Sequence, residues 1–108
     1  MINVKAIYNE DNEICGFRVE GHAGYAERGS DIICAAVSAL SENTVNSVEA
    51  FTDDHFSCKT DENSGLLEFI ITSDVSKESR LLLQSFFLGI RTISEEHNKY
   101  VKLKIHGR

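Results

Sequence analysis

The stretch DIICAAVSALSENTVNSVEAF, residues 31–51, decides the architecture. Within it Ile33, Val37, Leu40, Val45, Val48 and Phe51 recur at the spacing of one helical face, and neither Gly nor Pro interrupts them. Ser30 and Asp31 stand at its start, and both side chains can accept a hydrogen bond from the unpaired N–H groups of a first helical turn. The pattern predicts a helix from about residue 31 to 51.

On both sides of this helix the hydrophobic period falls to two. Upstream, Ile2, Val4, Ala6 and Tyr8 alternate with polar residues, residues 9–12 supply a turn, and residues 14–20 resume with β-compatible side chains, which makes a hairpin. Downstream, residues 56–60 and 66–72 flank the turn at 61–65 and make a second hairpin. Leu82, Leu83, Phe86, Phe87, Ile90 and Ile93 then form a second helix, entered through Ser73-Asp74 or through Ser76. In the last strand Tyr100, Lys102 and Lys104 face one way and Val101, Leu103 and Ile105 the other. The expected class is α+β: a single domain over residues 1–108, with about five strands in an antiparallel or mixed sheet carrying two helices on one face, in the order ββαββαβ.

A chain of 108 residues, 42% hydrophobic, suits one core. No apolar run approaches the roughly 18 to 20 residues that span a bilayer, and the first residues lack the pattern of a signal peptide, so no membrane partner and a cytoplasmic location are expected. Three cysteines, an odd number, are expected to remain thiols there. The net charge of -6 argues against direct nucleic-acid binding and suits a basic partner. Lys99, Lys102, Lys104 and Arg108 form the only basic cluster visible along the chain, on a strand edge where lysines discourage unwanted pairing. A sheet covered on one face leaves the other for solvent or a second subunit, and Leu81-Leu82-Leu83 with Phe86-Phe87 is broad for one buried stripe. A homodimer is the expected remedy; the alternative is a monomer whose helices bury each other.

The chemistry concentrates in GHAGYAERGSDIICAAVS, residues 21–38. Cys34 is expected in the first turn of the helix, where unpaired N–H groups and the helix dipole stabilise a thiolate. His22 leaves the second strand, and the intervening loop can lay strand end beside helix start. An imidazole there can take the thiol proton and later protonate a leaving amine. A histidine after a strand is also a common structural residue, and the pair alone does not fix a function. Asp31 can cap the helix or orient His22. Ser38 lies one turn beyond Cys34 on the same face, and can hydrogen-bond near the thiolate or simply pack. Gly21, Gly24 and Gly29 give the loop conformational freedom. Cys15 and Cys58, inside strands, read as buried packing residues. A zinc site from His22, Cys34, His55 and Cys58 is disfavoured, because residues three apart in a strand point to opposite faces.

Gly21-His22-Ala23, a short glycine-containing spacer, and then Gly-Ser-Asp-Ile-Ile-Cys-Ala-Ala-Val-Ser at 29–38 resemble the motif of the bacterial ribosomal-processing cysteine protease family, Prp. The resemblance implies that His22 and Cys34 form a catalytic dyad, with Asp31 and Ser38 as supporting positions and Gly21 and Gly29 shaping the loop. It implies a homodimer and no metal or organic cofactor. The implied substrate is the N-terminal extension of a large-subunit ribosomal protein, the twenty-seventh of that series, cut after paired aromatic residues and before a small one. An apolar pocket for those aromatics is expected beside the loop, with Tyr25 and Val37 as candidate lining. The competing reading is a noncatalytic ribosome-associated binding protein in which Cys34 is structural.

Overall fold

The computed structural model describes residues 1–22 and 28–105, and over residues 28–31 the backbone alone. Its elements are β1 (Ile2–Tyr8), β2 (Ile14–Glu20), α1 (Arg28–Phe51), β3 (Phe56–Asp61), β4 (Leu66–Ile71), α2 (Lys77–Glu96) and β5 (Val101–Lys104), the order read from the sequence. They form one five-stranded sheet in the spatial order β3-β4-β2-β1-β5. The sheet is mixed: β5 runs parallel to β1, and every other pairing is antiparallel.

This order makes both helices crossovers. β2 and β3 each pair antiparallel with β4, so they point the same way, and α1 carries the chain from one to the other past the place β4 will fill. α2 likewise joins β4 to β5, which lies beyond β2 and β1. Parallel strands cannot be joined by a tight turn, so a helix must span the gap.

The inward rows of the strands and the inner faces of the helices meet in a core centred on Phe17, Phe69 and Phe86. Phe17 and Phe69 are register partners, with ring centroids 5.5 Å apart, and Phe86 of α2 stacks on Phe17 at 3.9 Å. Such ring pairs contribute about 0.5–1.5 kcal/mol each beyond their buried area. Gly16 permits the close approach of β2 to β4: a Cβ on it would lie 1.9 Å from the Phe69 carbonyl oxygen.

On the opposite face of the sheet Lys5, Arg18, Glu68 and Lys59 lie in one register row, beside the half-buried Ile7 and Ile70. Arg18 Nη1 donates to Glu68 Oε2 at 2.8 Å and Nη2 to Glu20 Oε2 at 3.3 Å. The broad apolar run of α2 is shared between two sides of the helix. Leu83, Phe86, Phe87 and Ile90 are buried, while Leu81 and Leu88, seven residues apart, are 66% and 65% exposed.

α2 is capped by Ser76, one of the two expected entries, whose Oγ accepts from Ser79 N at 3.1 Å. Asp54 Oδ2 accepts from both Ser76 N at 3.0 Å and Ser76 Oγ at 2.7 Å, tying the helix start to the segment before β3. Burial pushes the Asp54 carboxyl up, but the hydrogen bonds it accepts, those from Ser76 among them, outweigh this and hold the group below its ordinary value.

Helix α1 departs from expectation at its start. It begins at Arg28, so Ser30 and Asp31 lie inside it and Gly29 belongs to its first turn rather than to a loop. Ser and Asp are as compatible with a first turn as with a cap, and an acid there complements the dipole, so their presence did not fix the boundary. Cys34 is therefore well beyond the first turn.

Candidate active site

The end of β2 is held by backbone contacts. Gly21, at φ 100°, donates its N–H to Ser64 O at 3.0 Å, and a Cβ there would sit 2.4 Å from Met1 O. Only glycine meets both demands without strain. The Met1 amine donates to His22 O at 2.6 Å, which fixes the histidine backbone from the other side. The imidazole itself is exposed, with Nε2 3.4 Å from Asn63 O, a long hydrogen bond in the tautomer protonated there.

The turn between β3 and β4 abuts this ring. Gly65 has φ 65°, and a Cβ on it would lie 2.5 Å from Gly21 O and 3.1 Å from His22 Cε1. Sequence reading saw Gly65 only as a turn residue, since nothing local announces a neighbour more than forty positions away.

Gly65 also lines a cleft of about 410 Å³. Ser38, Ser41 and Glu42 of α1 form one wall, Thr60, Asp61 and Glu62 the other, with Val19 and Leu67 between them. Ser41 is buried and donates its hydroxyl to Val37 O at 2.7 Å, whereas Ser38 is exposed. Cys34 is half-buried one turn before Ser38, packed against the core on one side. Ser38 and the turn that touches His22 thus border one cleft, and Cys34 lies on the same helix, on the side of α1 toward its start.

Gly24, Tyr25 and the side chain of Asp31 lie outside the described residues. Val37, expected to line a pocket, is 1% exposed and belongs to the core, so the apolar lining of the cleft comes from Val19, Leu66 and Leu67 instead. Cys15 is buried as expected, but Cys58 is exposed. It sits on β3, an edge strand that α1 leaves partly uncovered, above a second cleft shared with Val45 and Asn46. Desolvation pushes both thiols up, away from thiolate character at neutral pH. Among the described residues no three His, Cys, Asp or Glu side chains converge to hold a metal ion.

The family model described as cysteine protease Prp matches residues 1–102. The chain belongs to this family. It is a cysteine protease, similar to the ribosomal processing cysteine protease Prp of Staphylococcus aureus at 30% identity over 103 residues, 95% of this chain and 97% of that protein. The Bacillus subtilis Prp is 26% identical over 107 residues, 95% of this chain and 96% of that protein. The crystal structure of the S. aureus Prp with a covalently linked product peptide superposes with a TM-score of 0.86 at 29% identity, covering 98% of this chain and 100% of that one. Its complex with a substrate peptide gives 0.87 at 27% identity, with the same coverage. A covalent peptide adduct is what a protease with a side-chain nucleophile forms during turnover, and in a Prp protease that nucleophile is a cysteine.

Proposed function

We propose that Cys34 is the nucleophile and His22 the general base of a protease that removes the N-terminal extension of a bacterial large-subunit ribosomal protein, the twenty-seventh of its series, by cutting after paired aromatic residues. The observation that carries the assignment is the shared cleft: Gly65, against the His22 ring, and Ser38, one turn from Cys34, line the same 410 Å³ space. Cys15 is buried in the core, and Cys58 lines a neighbouring cleft that shares Glu42, Thr60 and Leu67 with this one but not Ser38 or Gly65.

The reaction runs as two acyl transfers. His22 takes the Cys34 proton as Sγ attacks the scissile carbonyl, and the imidazolium then protonates the departing amine. Water, deprotonated by His22, hydrolyses the thioester and returns the thiol. Because the helix dipole acts chiefly within the first turn, and Cys34 lies beyond it, forming the thiolate falls mainly to the imidazole. In this proposal Ser38 and Asp31 are supporting residues for the dyad; Gly21 stands just before His22, and Gly29 lies on the chain between His22 and Cys34. No step calls for a metal or organic cofactor.

The acidic surface, net -6, suits a basic ribosomal protein by raising encounter rates in the cytoplasm. The protein acts as a homodimer, with the exposed Leu81 and Leu88 of α2 as the surface a second copy would cover.

The deciding experiment is cleavage of a peptide spanning that N-terminal extension by wild type, Cys34→Ala and His22→Ala. Wild type should cut after the aromatic pair and both variants should fail. A folded wild type that leaves the peptide intact would favour the noncatalytic binding reading.

A further inference from the structure

Along the chain the basic residues look scattered apart from the C-terminal group, but the sheet register gathers them. Lys59 pairs with Glu68, Glu68 with Arg18, Arg18 with Lys5 and Lys5 with Lys104, one position on each of the five strands. Paired positions share a face, so these side chains form a row about 19 Å long across the outer surface of the sheet, at the usual strand spacing. Lys102, opposite Asn3, stands beside it. Glu68 and Glu20 are both engaged by Arg18, and among the described residues no ion pair neutralises Lys5, Lys59, Lys102 or Lys104.

Protection of sheet edges accounts for Lys59 on β3 and for the lysines of β5, since those are the edge strands. It does not account for Lys5, which lies on β1 between Arg18 and Lys104. Arg18 is held between Glu68 and Glu20, which leaves Lys5 and Lys104 as like charges directly opposite on neighbouring strands, and such pairs repel even inside a chain whose net charge is -6. An anion laid across the row removes it. At physiological salt, fields are screened over about 8 Å, so the row acts on a nearby ligand as a local positive surface whatever the sign of the whole.

We propose that the outer face of the sheet is a docking surface for the phosphate backbone of RNA, held by Lys5, Lys59, Lys102 and Lys104. The shape of the ligand follows from the row: extended, flat and repeatedly anionic. The choice of RNA over other polyanions rests on the ribosomal function proposed above. The cleft with Ser38 and Gly65 opens between α1 and the β3–β4 turn, so RNA on the outer face leaves it accessible to a peptide.

The test is fluorescence anisotropy of a labelled RNA stem-loop titrated with wild type and with the Lys5→Gln/Lys104→Gln double variant over a range of salt, beside duplex DNA and phosphatidylserine vesicles. Peptide cleavage by the same samples reads the protease assignment independently. Wild type should bind RNA with a log–log salt slope of about -3 to -4 if all four lysines engage. The double variant should bind roughly tenfold or more weakly, with a slope shallower by about 2, while cutting peptide at the wild-type rate. No RNA binding by wild type at low salt, unchanged affinity in the double variant, or tighter binding to DNA or vesicles than to RNA would overturn the proposal.

Discussion

Gly65 and His22 touch across the sequence: a Cβ on the glycine would lie 3.1 Å from the imidazole Cε1. Gly65→Ala therefore pushes on the proposed base while also straining a backbone at φ 65°. Peptide cleavage should fall about tenfold, since the imidazole must give way by a few tenths of an ångström and a full ångström costs about a hundredfold. Circular dichroism should report a folded protein, with stability lower by about 2 kcal/mol or more from the positive φ and the 2.5 Å approach to the Gly21 backbone oxygen. Wild-type activity in a folded Gly65→Ala would remove this contact from the account.

Cys34→Ala and His22→Ala should each lower kcat by at least about a thousandfold, as for members of a nucleophile–base unit, and the double variant should lose little more. Full additivity in single-turnover kinetics would mean that the two do not act together. Cys34 is half-buried at the margin of the core, so thermal unfolding of Cys34→Ala should remain cooperative.

Gly16→Ala tests the sheet rather than the site. Its methyl would meet the Phe69 carbonyl at 1.9 Å, a backbone atom that can move only with β4. The expected loss is about 3 kcal/mol or more, at or above the top of the usual range for overpacking. A denaturation midpoint equal to wild type would show that the two strands separate more easily than the register implies.

Asp54 makes stability depend on acid. Its folded-state pKa lies below the unfolded value, so as pH falls the unfolded chain takes up the proton first. The stabilisation it provides is present above the unfolded pKa of about 3.9 and is lost as pH drops through the folded value. Urea midpoints measured from neutral pH to pH 3 should decline less steeply for Asp54→Asn than for wild type, with the difference concentrated below pH 4.

Leu88→Glu places a charge on the exposed apolar side of α2. Light scattering should find wild type as a dimer and this variant as a monomer with unchanged helix content. A wild-type monomer would leave Leu81 and Leu88 as isolated surface residues.

Much of the fold was written in hydrophobic period. Alternation in Ile2, Val4 and Ala6, helical recurrence in Leu83, Phe86 and Ile90, and the Ser76 cap all appear where the sequence put them. Strand direction was not legible, because a period of two is the same read either way, and so the parallel pairing of β5 with β1 had to come from the topology. The start of α1 was misplaced because Ser30 and Asp31 serve a first turn as well as a cap. Cys58 was expected inside because its strand was assumed to be covered on one face, and edge position is a property of the whole sheet. At the candidate site, Cys34, His22 and Ser38 stood out by residue type and spacing. Gly65 did not, since its importance lies in what it touches.

The position of β4 between β2 and β3 has a consequence for the timing of activity. β2 anchors His22 and β3 supplies one rim of the cleft, yet the two are joined only through a strand made after both. A growing chain that has emerged as far as β3 holds the proposed nucleophile and base but has no floor on which to bring a peptide between them. On the proposed assignment, proteolytic competence therefore waits for β4 to join the two strands, before the last strand of the sheet is in place.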